Sequence, residues 1–285
     1  MKTGPRILVT GASGNVGAPL VEQLVAGGAH VLVACRDMAR ARVPAGTTAV
    51  RFDFEDPSTH APALEGVEKL FLLRPPAITD MKRHMLPVVR AARDAGVRHI
   101  VFLSLLGVEK NPVVPHAKVE RFILEAKVPH TFLRPGFFMQ NLSTTHRDDI
   151  REHHELFVPA GQGRTGFIDT RDIAAVGAKV LLEEGHEGKA YDLTGAEALT
   201  YAEAAALFTE VLGRPIRYAE PSALRFAARW YRRDVPLPFI AVMTAIYTVC
   251  RLGLAGTVTR DTEQLLGRAP ISLRQIIQDH KACWL

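Results

Sequence analysis

The sequence predicts an α/β chain: a doubly wound, mostly parallel sheet followed by a smaller, mainly helical C-terminal lobe. Three features carry that reading. Short apolar runs alternate with helical periodicities from Arg6 to Leu133. A glycine-spaced turn, Gly11-Ala12-Ser13-Gly14-Asn15-Val16-Gly17, lies between the first run and the first helical stretch. Beyond about residue 150 the alternation loosens. Strands separated by helices in this way build parallel sheets covered on both faces.

Ile7-Leu8-Val9 feeds the turn as a first strand, and Val16, Leu20, Val21, Leu24 and Val25 then recur at helical spacing until Gly27-Gly28. Val31-Leu32-Val33-Ala34 reads as the second strand. In such a βαβ unit Gly11 permits the sharp turn, Gly14 lets the backbone approach a dinucleotide pyrophosphate, and Gly17 lets the helix pack closely. The free N–H groups at the helix start face the anion. A plain glycine turn is the alternative, and the position between strand and helix favours the dinucleotide. The second strand ends in Cys35-Arg36-Asp37, with Arg40 and Arg42 beyond. A guanidinium pairs with a 2′-phosphate, whereas a carboxylate accepts from a 2′-hydroxyl. Arg36 comes first, which favours NADPH over NADH; Asp37 beside it can reverse the choice, and arginines that only solvate a loop are the plain alternative.

Ala49 to Phe54 forms a third strand, closed by the turn Glu55-Asp56-Pro57. Asp53 at its end is either a contact to the adenine amino group or a turn former. Lys69 to Leu73 is the fourth strand, stopped at Arg74-Pro75-Pro76, the lip of the crevice. A helix follows over Thr79 to Ala95, then a fifth strand, His99 to Leu103, with Ser104 at its end. His116 and Lys118 stand at the start of the next helix, and Val128 to Leu133 is the sixth strand, ending in Arg134-Pro135-Gly136-Phe137-Phe138. Farther on, Leu156 to Gly161 and Thr165 to Ile168 read as short strands around a turn. A helix through Ile173 to Leu181, a strand at Ala190 to Leu193, a helix from Tyr201 to Leu212 and a short strand at Ile216 to Tyr218 complete the order. The remainder is expected to be helical and to cover the crevice.

The 285 residues, 47% apolar and 23% charged, suit a globular α/β protein. The net charge of +5 is dispersed, with no basic stripe among aromatics and no Cys/His finger spacing, so a nucleic-acid partner is not expected. Cys35, Cys250 and Cys283 are odd in number and far apart, as in reduced thiols of a cytoplasmic protein. The first strand begins at once, leaving no room for a signal peptide. Val235 to Cys250 is uncharged but short for a membrane span and contains Pro236 and Pro238; a buried or pocket-lining helix is expected. His153 and His154 are adjacent and point apart, so no metal site is expected there.

Hydride transfer needs a positioned nicotinamide and often a proton donor. The short-chain dehydrogenase plan supplies that donor from a Tyr-x-x-x-Lys pair, yet none of the five tyrosines has a lysine four residues on. Counting back from Lys118, the tyrosine position holds Val114. Phe137, Phe138, Trp230, Tyr231 and Tyr247 can stack on a planar substrate or serve as core.

The turn Thr10 to Gly17, Arg36-Asp37, Ser104, Lys118-x-Glu120, Leu133 to Asn141, Phe167 to Ala174 and Asp261 to Pro270 together resemble the NmrA-like family of atypical short-chain dehydrogenases. The resemblance covers nearly the whole chain. It implies an NADP-binding Rossmann domain over 1–150, and over 151–285 the completion of the sheet plus a substrate-binding lobe. It implies that Gly11, Ser13, Gly14, Asn15 and Val16 meet the pyrophosphate, Arg36 the 2′-phosphate, Asp53 and Phe54 the adenine, and Leu73 and Arg74 the ribose. Ser104 and Lys118 would hold the nicotinamide ribose. Pro135, Gly136 and Phe137 would contribute to the cofactor site, and Phe137, Phe138 and Asn141 would border the nicotinamide pocket; Trp230 and Tyr247, among the stacking aromatics above, are candidates to line the substrate pocket with Phe138 and Asn141.

Lys118, if buried, can act as acid or base; its other role is ribose positioning alone. His116 is a second candidate proton donor or else a surface residue. The expected activity is NADPH-dependent reduction of a planar electron-poor acceptor such as a quinone, enone, iminium compound or dye. The alternatives are a non-catalytic NADP(H)-sensing regulator with a protein partner and an ordinary carbonyl reductase using His116. A monomer or homodimer fits the resemblance.

Overall fold

The computed structural model describes residues 4–41 and 43–285, so Arg42 lies outside the described residues. In chain order the strands among them are β1 (Arg6–Val9), β2 (His30–Cys35), β3 (Thr47–Arg51), β4 (Lys69–Leu73), β5 (His99–Leu103), β6 (His130–Pro135), β7 (Phe137–Phe138), β8 (Glu155–Leu156), β9 (Arg164–Ile168), β10 (Lys189–Leu193), β11 (Ala198–Thr200) and β12 (Arg217–Tyr218). The helices are α1 (Gly17–Ala26), α2 (His60–Leu64), α3 (Met81–Asp94), α4 (Pro115–Ala126), α5 (Arg147–Glu152), α6 (Thr170–Leu182), α7 (Tyr201–Leu212), α8 (Ala223–Tyr231), α9 (Leu237–Arg251), α10 (Asp261–Leu266) and α11 (Leu273–Asp279).

Seven strands form one sheet in the order β10-β6-β5-β4-β1-β2-β3, every neighbouring pair parallel. The middle strands read as unbroken apolar runs because both faces are covered: Ile7, Leu8, Val9, Leu70, Phe71, Leu72, Ile100, Val101 and Phe102 are all fully buried. The chain winds outward in both directions from β1 and β4, which pair through Val9 and Phe71. That reversal is the topological switch point, where strand ends part and leave a crevice.

The chain divides into two compact units, the first running to Pro135 and resuming over Thr170–Leu193, the second made of Gly136–Asp169 and Thr194–Leu285. α6 and β10, from beyond residue 150, are thus built into the first unit and complete its sheet. β10 pairs with β6 from Lys189↔Thr131 to Leu193↔Pro135. Gly177 of α6 faces α1 and the sheet, and a Cβ there would be in ordinary contact with Leu20 at 3.4 Å and Phe71 at 3.5 Å.

Within the second unit β9 pairs parallel with β7 and antiparallel with β11, while β8 pairs with β12. The two short segments expected to face each other around a turn thus belong to separate sheets. Tyr201, Phe208, Phe226, Tyr247 and Trp284 fill the core between the helices. A capping box between Thr200 and Glu203 starts α7. Helix α9, charged only at its last residue, Arg251, buries one stripe only, Ile240, Met243, Tyr247 and Cys250, while Phe239, Val242, Ile246 and Val249 are exposed; the expectation of a buried helix holds for that stripe alone. Among the described residues no helix is long and apolar enough to cross a membrane.

Each unit holds a buried neutral histidine. His99, bonded through Nε2 to Thr131 Oγ1 at 2.9 Å, is pushed down to about 4 by burial, with the Lys69 charge adding to it. Burial also pushes His146 down to about 4. In the unfolded chain these rings take up a proton near 6.5, so between about 4 and 6.5 the unfolded state binds more protons. Stability is therefore complete above that interval and falls as pH drops through it, by up to ~1.4 kcal/mol per pH unit for each histidine. Melting temperature is expected to decrease steadily from pH 7 toward 4.5; a flat profile would contradict the burial of both rings.

Candidate functional site

The first unit gathers its polar groups at the carboxyl ends of β1, β2, β4 and β5. Thr10 fastens the glycine turn to β4: its N–H donates to the Phe71 carbonyl at 3.0 Å, and its Oγ1 accepts from the Leu73 N–H at 2.7 Å. Gly11 adopts φ +66°, with Leu73 3.2 Å from where a Cβ would stand. At Gly17 a Cβ would lie 2.0 Å from the Gly11 carbonyl oxygen and 2.7 Å from its carbon. Those two glycines are fixed by conformation and packing. Gly14 is different, since it is exposed and a Cβ there would meet only the Gly11 oxygen, at 3.3 Å.

No side chain caps α1 and no carboxylate lies in its first turn. Ser13, Gly14 and Asn15 are exposed before it. Val16 is buried, which limits it to a backbone contact with any ligand.

Arg36 is exposed at the end of β2 and has no ion-pair partner among the described residues. Asp37 is engaged: its carboxylate caps the short helical turn Met38–Arg40, accepting from the Ala39 N–H at 3.0 Å, and stands 3.6 Å from Arg40 Nε. The residue able to favour a 2′-hydroxyl is thus turned to a local task.

Asp53 acts as a turn former, its Oδ1 accepting from the Glu55 N–H at 2.9 Å and its own N–H donating to Thr59 Oγ1 at 2.9 Å. Phe54 is buried edge-on against Phe52, at 5.0 Å and 86°, so it offers no open face to an adenine ring. The turn-forming role is the one seen for Asp53, and any adenine contact of Phe54 would be through its backbone.

Arg74 is half-buried, and one terminal nitrogen donates to the carbonyls of Pro75 at 3.0 Å and Ile78 at 2.8 Å, shaping the loop after β4. Ser104 is buried; its N–H donates to the Leu133 carbonyl at 2.7 Å, while its Oγ has no partner among the described residues. His116 is half-buried against Phe102, with ring centres 6.1 Å apart, and is no surface residue. Burial, reinforced by the Arg74 charge, pushes its imidazole down to about 4, so it is neutral at pH 7 and no cationic acid. Lys118 is exposed on α4, which removes the burial on which its acid–base role depended.

Arg134, at the end of β6, donates to both carboxylate oxygens of Glu120 at 3.1 and 2.8 Å and stands 3.5 Å from Glu109. Pro135 is buried, and its carbonyl accepts from the Leu106 N–H at 3.0 Å.

In the second unit Gly136, Phe137, Phe138 and Asn141 are half-buried. Phe137 lies edge-on to Phe167 at 5.7 Å, and the buried Gln140 donates to Asp169 Oδ1 at 2.8 Å. Trp230 and Tyr247 are corrected to core residues. Trp230 packs on Phe226 with ring centres 4.5 Å apart, and the fully buried Tyr247 is hydrogen-bonded to His146 Nε2. Sequence reasoning missed the positioning contacts of Thr10, Arg134 with Glu120, and Gln140 with Asp169. A charged residue closing an apolar strand was the available signal for Arg134.

The chain as a whole has counterparts among known proteins. The chain is 31% identical over 284 residues to an NAD(P)H azoreductase of Xenophilus azovorans, spanning 98% of this chain and 99% of that one. The crystal structure of an NADPH-dependent quinone oxidoreductase from Escherichia coli complexed with NADPH superposes with a TM-score of 0.88 at 28% identity, covering 96% of this chain and 99% of that one. The Citrobacter sp. triphenylmethane reductase complexed with NADP(H) gives 0.86 at 28% identity, with the same coverage of 96% and 99%. The model of the NmrA-like family matches residues 3–253, most of the chain, and the chain therefore belongs to the NmrA-like family.

Proposed function

We propose that this chain is an NADPH-dependent reductase that passes hydride to a planar, electron-poor small molecule. The relatives named above as an azoreductase, a quinone oxidoreductase and a triphenylmethane reductase support that reading. The observation that carries the acceptor class is the lack of a strong acid: Val114 stands at the tyrosine position, Lys118 is exposed and His116 is neutral. Quinones, enones, iminium compounds and related dyes take hydride with little acid assistance.

The residues fit the cofactor. The exposed Gly14 backbone and uncapped α1 suit a pyrophosphate, and Arg36 a 2′-phosphate. Lys118, being exposed, is assigned ribose positioning. When bound, NADPH supplies the hydride, and the protein's part is to hold and orient. The regulator reading is the weaker one, because these whole-length relatives are named as reductases.

The test follows loss of nicotinamide absorbance with a panel of quinones, enones, iminium salts and dyes, with NADH in parallel. Turnover with at least one acceptor and a preference for NADPH is expected. Tight NADPH binding with no turnover on any of them would overturn the proposal in favour of a regulator.

A further inference from the structure

Four buried side-chain polar atoms of the first unit have no hydrogen-bond partner among the described residues: His99 Nδ1, at the start of β5, and Arg74 Nε, Ser104 Oγ and His116 Nδ1. The fold places the last three together. β4 and β5 are parallel neighbours with Leu73 opposite Leu103, so Arg74 and Ser104 are the next residues, side by side where both strands end. The His116 ring stands against Phe102 of β5, near enough to Arg74 to feel its charge.

Each atom has a defined hydrogen-bonding capacity. Arg74 Nε carries a fixed N–H, a serine hydroxyl can donate or accept, and a neutral imidazole nitrogen donates in one of its two tautomers. The guanidinium is held in place by the loop carbonyls, and no carboxylate pairs with it among the described residues. A half-buried cation without a counter-charge attracts electron-rich oxygen and repels a second cation. Leaving such donors unmet costs free energy, which a ligand oxygen recovers on binding.

We infer that Arg74, Ser104 and His116 form an oxygen-binding corner that selects neutral carbonyl acceptors, such as quinones and enones, over cationic ones such as iminium salts and triarylmethane dyes. This rests on the reductase reading above. With an enone the hydride forms a C–H bond at the β carbon, the conjugated electron pair moves onto the carbonyl oxygen, and NADPH is oxidised to NADP+. Water then returns a proton to complete the reduction. The oxygen is most negative while charge is developing on it, which is when the fixed donors count most.

The experiment compares the native protein with Arg74→Met, Arg74→Lys and His116→Asn. Readouts are kcat/KM on a neutral quinone, an enone and a cationic triarylmethane dye, Kd for NADPH, and calorimetric binding of 4-nitrophenolate, an anionic oxygen probe, in the presence of NADP+. The native protein is expected to prefer the neutral acceptors. Arg74→Met should lower their kcat/KM and weaken the phenolate by about tenfold or more, the loss of a charge-assisted contact, with dye turnover unchanged or raised. Arg74→Lys should restore part of both, since it keeps the charge, and His116→Asn should reduce both by a smaller factor without disturbing the loop.

Equal losses on neutral and cationic acceptors, or unchanged phenolate binding in both Arg74→Met and His116→Asn, would overturn the inference while leaving the reductase standing. A fall in NADPH affinity matching the fall in turnover would also overturn it, by placing these atoms on the cofactor ribose. Absence of turnover by the native protein on every acceptor is the separate failure of the reductase reading.

Discussion

Replacing Arg36 by alanine is expected to raise the Kd for NADPH by roughly 10- to 100-fold, the ~1.5–3 kcal/mol of a charge-assisted hydrogen-bonded pair. NADH binding should change by no more than about twofold, because without the 2′-phosphate the guanidinium has no anionic partner. The size of the difference follows from the geometry at the end of β2. Arg36 is exposed and unpaired among the described residues, whereas Asp37 caps the turn that follows. Because the site is open to solvent, the NADPH preference should also shrink as ionic strength rises. Titration of both nucleotides into both proteins at two salt concentrations measures this, and parallel losses for NADPH and NADH would refute the 2′-phosphate assignment.

The second large effect is at Gly17. Glycine to alanine in an ordinary helical position stabilises by about 0.5–1 kcal/mol, and here the sign should reverse. The added Cβ would stand 2.0 Å from a backbone oxygen, which cannot rotate away as a side chain can. Either the turn opens or the start of α1 moves off β1. A loss of about 3 kcal/mol, at the upper end of overpacking costs, corresponds to a fall in Tm of roughly 6–12 °C for a protein near this size. The protein that remains folded should bind NADPH poorly, since the displaced turn is the one we assign to the phosphates. Gly14→Ala is the matched control. Its Cβ would have 3.3 Å to the nearest atom, so Tm should stay near the native value while NADPH binding weakens. If Gly17→Ala melted like the native protein, the close packing of α1 on the turn would be refuted.

How far the sequence is legible depends on the range of the interactions involved. β1, α1 and β2 are written locally, in an apolar run, a helical period and glycines whose conformations are set by neighbours. The third strand illustrates the limit. Its pattern continues to Phe54, but the Asp53 carboxylate accepts from the Glu55 N–H and turns the chain, so β3 ends at Arg51. Side-chain capture of a backbone donor defeats periodicity at that point. The division of the chain into its two units has another origin. β7 is two residues long and pairs with β9 some thirty residues later, a partnership that no local pattern announces.

The candidate site divides in the same way. Gly11, Gly14, Gly17 and Arg36 are recognisable because their chemistry lies in their residue type. Lys118, His116, Phe54, Trp230 and Tyr247 required knowledge of burial, which is a property of the assembled fold. His116 is the clearest instance: its neutral state comes from the apolar surroundings of Phe102 and the charge of Arg74, forty-two positions away.

The return of the chain at Thr170–Leu193 to complete the first sheet also bears on how the protein is made. When the ribosome has delivered β6, that strand has β5 on one side and bare backbone donors and acceptors on the other. Its proper neighbour, β10, emerges more than fifty residues later, after the whole Gly136–Asp169 segment. During synthesis the nascent sheet therefore presents an open edge of the kind that invites pairing with another chain. A fragment ending at Pro135 would keep the glycine turn, Arg36, Arg74, Ser104 and His116, and would be prone to aggregate through that edge. The half we assign to the nucleotide is thus no detachable cassette, and its sheet is closed only after residues of both units have left the ribosome.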